Sequence, residues 1–222
     1  MWLLALETSG KSGTLSLSRT DASSSCELIE EVSLSGGTFS SEIIPRISAL
    51  LGAHKLNKND LAGFAVASGP GSFTGLRVGL AAIKGLAEIL LKPIAAVSLL
   101  ESMAFEAAGA PAQITSALDA GRNEIFVAKY DCASNLPRLL AEDLISAESL
   151  SAFANGPHLL TPDDRILQIA TTAGIRVEKV PRPTSAAIAR LGWEKIRSGD
   201  TTSPERLDAL YLRRSDAEIA LK

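Results

Sequence analysis

Glu7 and Asp119 each stand just after a short apolar run, at matching points of the two halves of the chain. Paired carboxylates across a cleft can hold a magnesium ion or take a proton as a base. An acid so placed can equally build a turn by accepting hydrogen bonds from its own backbone. Spacing alone leaves both readings open. A second cluster is the run Ser68-Gly69-Pro70-Gly71-Ser72-Phe73-Thr74-Gly75-Leu76-Arg77-Val78-Gly79. Its glycines flank a strand-to-helix turn, and such a turn can aim backbone N–H groups and a helix dipole at an anion. A structural turn that packs a helix closely on a sheet fits the same glycines Gly69, Gly71 and Gly75.

Several better-known chemistries are excluded. Gly10-Lys11-Ser12 ends like a P-loop, but Ala5 stands where the loop needs its first glycine, and a strand rather than a helix follows. The glycine-rich run fails the dinucleotide pattern because Thr74 occupies the third glycine position. It fails the nucleophile elbow because Pro70 stands where glycine is required, which leaves Ser72 a poor nucleophile. His54 and His158 are the only histidines and form no HxxxH or HExxH pair, so no metal site is expected. Cys26 and Cys132 are far apart in sequence and suggest neither a disulfide framework nor a zinc cage. No catalytic residue emerges, and no cofactor is expected.

The elements that must position these residues follow from periodicity. Trp2–Leu6 is an apolar run, and Gly13–Ser18 alternates small polar with apolar residues, so the two read as a hairpin of strands. A third strand is expected over Glu27–Leu34 and a helix from Ser41 to about His54. Leu61–Ala67 reads as a buried strand, Gly75–Leu91 as a long helix stopped by Pro93, and Ile94–Val97 as another strand. Leu99–Ala108 is expected to be a helix capped by Ser98 with Glu101. Strand, turn and strand recur over Gln113–Leu118, Asp119–Asn123 and Glu124–Tyr130. Beyond Leu139 the pattern weakens. Helices are expected near Ala147–Ala154, Pro162–Ala173 and Ser185–Arg197, with a strand near Ile175–Val180. The repeated opening hints at two related lobes, divided as 1–108 and 109–222.

The bulk numbers bound the function. Hydrophobic residues make up 46% of the 222 and charged residues 21%, ordinary values for a folded chain. The formal charge of −3 argues against a strong nucleic-acid binder acting alone. No stretch is apolar for long enough to span a bilayer, and the first residues lack a basic start, so the expected location is the cytoplasm.

The glycine-rich run, continued through Leu80 to Lys84-Gly85-Leu86-Ala87, resembles the signature of the TsaB (YeaZ) family. Leu3-Leu4-Ala5-Leu6-Glu7-Thr8-Ser9 is similar to that family's first strand and turn, and Ser41-Glu42-Ile43-Ile44-Pro45 to its first helix. Ala117–Ile125 resembles the strand-turn-strand of its second lobe, and Tyr211-Leu212-Arg213 its C-terminal element. The resemblance runs end to end and is loosest from Leu139 to Asp200. It implies an α/β, actin-like ATPase (ribonuclease-H-like) fold of two lobes, each a mixed sheet with flanking helices. It implies a noncatalytic subunit in forming N6-threonylcarbamoyladenosine in tRNA. The partners would be a TsaD-type catalytic subunit and a TsaE-type ATPase, with tRNA reached only through the complex. Glu7, Thr8, Ser9 and Asp119 would then be a vestigial phosphate or nucleotide site. Two residues depart from the family. Glu7 stands where Asp is usual, and Phe39 stands where a histidine is frequent, six residues before Pro45. The alternative is a small actin-like kinase or ATPase using Glu7, the following turn and Asp119 around a magnesium nucleotide.

The two helices of the first lobe carry doubled apolar stripes. Leu76, Leu80, Ile83, Ala87 and Leu90 suit packing on a sheet, and Val78, Ala82, Gly85 and Ile89 form a second row. In the earlier helix, Ile44, Ile47 and Leu51 form one row and Phe39, Ile43 and Leu50 another. Both rows could be core. The resemblance implies instead that the second rows pair with a partner, giving an interface of Ile43, Leu50, Val78, Ala82 and Ile89. The same patch would form a homodimer when the chain is alone.

Overall fold

The computed structural model describes residues 1–21, 25–107, 112–154, 156 and 158–210. The expected element Tyr211-Leu212-Arg213 and the last residue of the expected helix Leu99–Ala108 lie outside these. The chain divides into two compact units, one of Met1–Ser102 with Pro183–Ala209 and one of Met103–Arg182 with Leu210–Lys222.

The first unit is built on a five-stranded sheet. Its strands are β1 (Trp2–Glu7), β2 (Gly13–Thr20), β3 (Cys26–Leu34), β4 (Leu61–Gly69) and β5 (Ile94–Ser98). The order is β3-β2-β1-β4-β5. β1, β2 and β3 pair antiparallel, whereas β4 runs parallel to β1 and β5 parallel to β4. Helices α1 (Phe39–Ala53) and α2 (Phe73–Leu90) follow β3 and β4. They bury Ile43, Ile47, Leu50, Leu76, Leu80 and Ile83 against Leu4, Leu6, Leu15, Leu17, Phe64 and Val66 of the sheet. Leu3 and Ala5 alternate to the opposite face, as period two demands, and both are fully buried. α3 (Leu99–Glu106) follows β5.

The opposite face is covered by α6 (Ser185–Ser198), which packs on β1, β2, β4 and β5. Helix and sheet can meet because both present small residues. A Cβ on Gly192 would clash with the Cβ of Ala65, and Ala95 lies beside it. Both ends of α6 are tied to the unit. At its start Glu31 Oε1 accepts from Ser185 Oγ at 2.8 Å and from the Ala186 N–H at 2.9 Å, an anion at a helix N-terminus. Near its end Lys195 Nζ lies 3.1 Å from Glu101 Oε1 and 2.9 Å from Asp200 Oδ2. Burial pushes the Glu101 carboxyl above its ordinary value, while Glu101 and Asp200 together hold the Lys195 ammonium above its own.

The second unit repeats the topology. β6 (Gln113–Gly121), β7 (Glu124–Asp131), β8 (Arg138–Ser146), β9 (His158–Thr161) and β10 (Val177–Lys179) lie in the order β10-β9-β6-β7-β8. β6, β7 and β8 pair antiparallel, and β9 and β10 run parallel with β6, so each strand has its counterpart in the first sheet. Short helices α4 (Leu150–Phe153) and α5 (Asp164–Thr172) cover one face. Leu150, Ile166 and Ala170 pack there on Ala117, Ile125, Val127 and Leu159.

Three expectations are corrected. The contiguous division at 108/109 does not describe the first unit, because α6 returns to it from beyond the second sheet. Strands β8 and β9 were not expected. β8 is an edge strand whose burial does not alternate, and β9 has only four residues, so neither carries a period-two signature.

Candidate functional site

The glycine-rich loop and the start of the β1–β2 turn are in direct contact, with Thr8, Ser9, Gly13, Gly75 and Gly79 buried at the junction and Gly71 to Thr74 exposed. Glu7, Thr8 and Ser9 are 4%, 1% and 3% exposed. Glu7 Oε1 accepts the Ser9 N–H at 2.5 Å. Thr8 Oγ1 donates to the Gly75 carbonyl at 2.9 Å, and the Ser72 N–H donates to the Ser9 carbonyl at 2.7 Å. The glycines are what allow this approach. A Cβ on Gly71 would lie 2.6 Å from Ser9 atoms, and one on Gly75 or Gly79 would overlap the Thr8 carbonyl or hydroxyl. Gly69 has φ of +128°, which only glycine adopts without strain. Ser72 caps α2, its Oγ accepting the Gly75 N–H at 3.3 Å. That contact gives its hydroxyl a capping role. Phe39 closes the side of the turn, its ring 3.1 Å from where a Cβ on Gly13 would be and 3.4 Å from the same point on Gly75.

The equivalent turn of the second unit is fixed by side chains. Asp119 Oδ1 accepts the Gly121 N–H and an Arg165 Nη1 donor, both at 2.9 Å. The Asp119 N–H donates to Asp163 Oδ2 at 2.8 Å. Arg165 also donates to Asn123 Oδ1, and Asn123 Nδ2 to Glu148 Oε1 at 2.8 Å. Asn123 joins that chain of contacts in the left-handed region, with φ of +63°. Glu7 and Asp119 thus share one geometry, each accepting the N–H two residues on, which is how turn-forming acids bond their own backbone. Among the described residues no three of His, Cys, Asp or Glu converge as ligands for a metal.

The helix faces divide differently from the sequence expectation. On α1 the expected interface residues Ile43 and Leu50 are 1% and 3% exposed and belong to the core of the first unit. Phe39, Ile47 and Leu51 are buried beside them, while Ile44, expected to face the sheet, is 50% exposed. The reason is geometric. Residues 43, 47, 50 and 51 lie within one stripe at spacings of three and four, and residue 44 falls off its edge. On α2 Leu76, Leu80, Ile83 and Ala87 are buried, Val78 and Ala82 are half-buried at the margin, Gly85 is open, and Ile89 is 75% exposed. Leu91, just past the helix, is 89% exposed and left-handed at φ of 52°. Phe73 is exposed at the opposite end, with the Arg77 guanidinium stacked 3.6 Å from its ring centroid. Sequence reasoning placed Ile44 in the sheet-facing row, and it gave no role to Phe73 and Leu91, because a lone apolar residue at a helix end carries no periodic signal.

A family model described as TsaD, tRNA N6-adenosine threonylcarbamoyltransferase, matches residues 33–220. The chain is 31% identical to the tRNA threonylcarbamoyladenosine biosynthesis protein TsaB of Bacillus subtilis, over 98% of this chain and 96% of that one. It belongs to the TsaB (YeaZ) family. Two solved structures from Pseudomonas aeruginosa share the fold. One is described as an uncharacterized protein with similarity to peptidase YEAZ, with a TM-score of 0.77 at 21% identity over 96% of this chain and 99% of that one. The other, YeaZ itself, gives 0.73 at 20% identity over 95% and 100%. The fold is therefore the actin-like, ribonuclease-H-like one that the sequence resemblance implied.

The two residues that the resemblance marks as departures, Glu7 and Phe39, meet at one place. The longer Glu7 side chain curls back onto Ser9, and the Phe39 ring stands against Gly13 and Gly75 of the same turn. Both changes fill the first-unit turn from within. Among the described residues no helix is long and apolar enough to cross a membrane.

Proposed function

We propose that this chain is a noncatalytic subunit in the formation of N6-threonylcarbamoyladenosine in tRNA, pairing with a TsaD-type catalytic subunit through the open face of α2. Family membership supports the pathway. The observation that supports a role without chemistry is the start of the β1–β2 turn, where Thr8 and Ser9 are buried. Thr8 and Ser9 bond to the backbone of the α2 entrance, and Phe39 closes the side, so a phosphate would have to displace the helix itself. At the second turn the Arg165 guanidinium already neutralises Asp119.

The partner face consists of Val78, Ala82, Gly85 and Ile89, extended by Ile44 on α1. The exposed Ile89 and Ile44 and the half-buried Val78 flank two small residues, Ala82 and Gly85, that let another helix approach. Ile43 and Leu50 act behind that face as core. The assembly works in the cytoplasm, a TsaE-type ATPase joins it, tRNA is held through the complex, and the same face forms a homodimer when the partner is absent.

The test is reconstitution of threonylcarbamoyl transfer to tRNA by a TsaD-type subunit with and without this chain, beside pull-downs of Ala82→Arg and Ile89→Arg. Transfer should depend on the chain, and both variants should fold yet lose the partner, because an arginine there is bulky and desolvated. Transfer that is indifferent to the chain, or steady ATP turnover by the chain alone, refutes the proposal.

A further inference from the structure

We infer that Thr8 is a positioning residue for the partner face. It locks the first two turns of α2 at a fixed depth on the sheet, and the glycines at 75 and 79 exist to admit it. The inference rests on the reading of α2 as the partner helix.

The observations converge on one side chain. Thr8 ends β1's run into the turn and is 1% exposed, so its hydroxyl has lost water and must find a protein acceptor. It finds the carbonyl of Gly75, 2.9 Å away, in the first turn of α2. In an α-helix that carbonyl is also the ladder acceptor for the N–H of residue 79. The Thr8 hydroxyl reaches it by occupying the space that a Cβ on Gly79 would fill. The Thr8 carbonyl occupies the space of a Cβ on Gly75. One residue of the β1–β2 turn therefore touches the helix at two successive turns where the helix has no side chain to hold it off. The Ser72 N–H to Ser9 carbonyl bond fixes the axis of the helix start from the neighbouring residue.

The buried core stripe of α2 does not fix this depth by itself. Leu76, Leu80 and Ile83 set which face of α2 turns inward, but aliphatic contacts tolerate sliding along the axis more than a directional hydrogen bond does. Val78 and Ala82 lie three and seven residues on from Gly75, about one and two turns up the same side of the helix. Their height above the sheet, and so the shape offered to a partner helix, follows from where Gly75 is held. The turn that would carry a phosphate in the kinase reading here carries a helix backbone.

The experiment compares Thr8→Ser with Thr8→Ala in the full chain. Both lose the γ-methyl group and only serine keeps the hydroxyl, so any shared packing loss cancels. Two quantities are read. One is amide hydrogen exchange of residues 75–82 against residues 124–131 of β7, and the other is affinity for a TsaD-type subunit. In Thr8→Ala, exchange over 75–82 should quicken by about ten-fold and the affinity should weaken by about ten-fold, the scale of a lost buried hydrogen bond. Thr8→Ser should stay close to wild type in both apart from the packing loss it shares with Thr8→Ala, and β7 should be unchanged throughout. Equal exchange in the two variants overturns the lock. A difference in exchange with equal affinity overturns its role in positioning the face. Wild type that fails to bind while exchange still differs leaves the lock standing and removes the partner reading instead.

Discussion

The β1–β2 turn and the β6–β7 turn occupy the same place in two sheets of the same topology, yet they are held by opposite means. In each, a carboxylate accepts the N–H two residues on. Around Glu7 the remaining contacts are backbone and hydroxyl, from a helix of 18 residues whose glycines let it press onto the turn. Around Asp119 they come from side chains, chiefly Arg165 in a helix of nine. The difference teaches that the turn itself decides little. What the helix after the fourth strand brings, small residues or a long cation, settles whether the turn is sealed against a helix or pinned at the surface.

The largest expected effect is at Gly75. Gly75→Val puts side-chain atoms onto the Thr8 carbonyl and should cost about 3 kcal/mol or more by overpacking, read as a lower urea midpoint. Gly121→Ala, in the second turn, meets nothing within 4 Å and has only its φ of +69° to strain it. It should cost about 1 kcal/mol. Equal losses at the two glycines would break the contrast between a packed turn and an open one.

A smaller pair of changes tests the tie between α6 and the first unit. Lys195→Met leaves Glu101 buried without its cation and should cost about 3 kcal/mol, while Glu101→Gln should cost much less. The pH dependence has a definite sign. Because burial raises the Glu101 pKa above 4.5, the folded state retains a proton that the unfolded state has lost. This contribution to stability is present at low pH and is lost as pH rises from 4.5 through the raised value. Denaturation midpoints across that window should fall in wild type relative to Glu101→Gln, and parallel curves for the two proteins would contradict it.

The smallest effect belongs to Arg165. Its pair with Asp119 is about one-third exposed on both sides, so Arg165→Ala should cost under about 1 kcal/mol and lose that cost in high salt. A loss as large as that of Gly75→Val would mean that the second turn is as integral to its unit as the first.

Much of this was open to reading from the chain. β2 carries a period-two pattern, β1, β4 and β5 are short apolar runs, and α2 has a helical pattern strong enough to find, while the glycine-rich run announced both a tight turn and a family. The Glu7 and Asp119 positions were found as matching acids, expected just after matching strands and placed by the structure within the ends of β1 and β6. In the second row expected on α2, Gly85 and Ile89 are exposed and Val78 and Ala82 are half-buried against the core. The α1 row was assigned to the wrong side, because a helix with apolar residues at 39, 43, 44, 47, 50 and 51 has one wide stripe whose boundary periodicity does not fix.

The sequence by itself determined the elements, the turn chemistry and the family, since these depend on residues within a few positions of one another. Only the tertiary structure decided which of several apolar rows faces the sheet and that α6 returns to the first unit. It alone decided that the glycines serve close approach, at Gly71, Gly75 and Gly79, more than unusual torsion. Each of these rests on contacts between residues far apart in the chain, such as Thr8 with Gly75, Gly192 with Ala65, and Glu31 with Ser185. A glycine, an alanine or a buried threonine has no local pattern that reveals its partner, and the partner is what gives each its meaning.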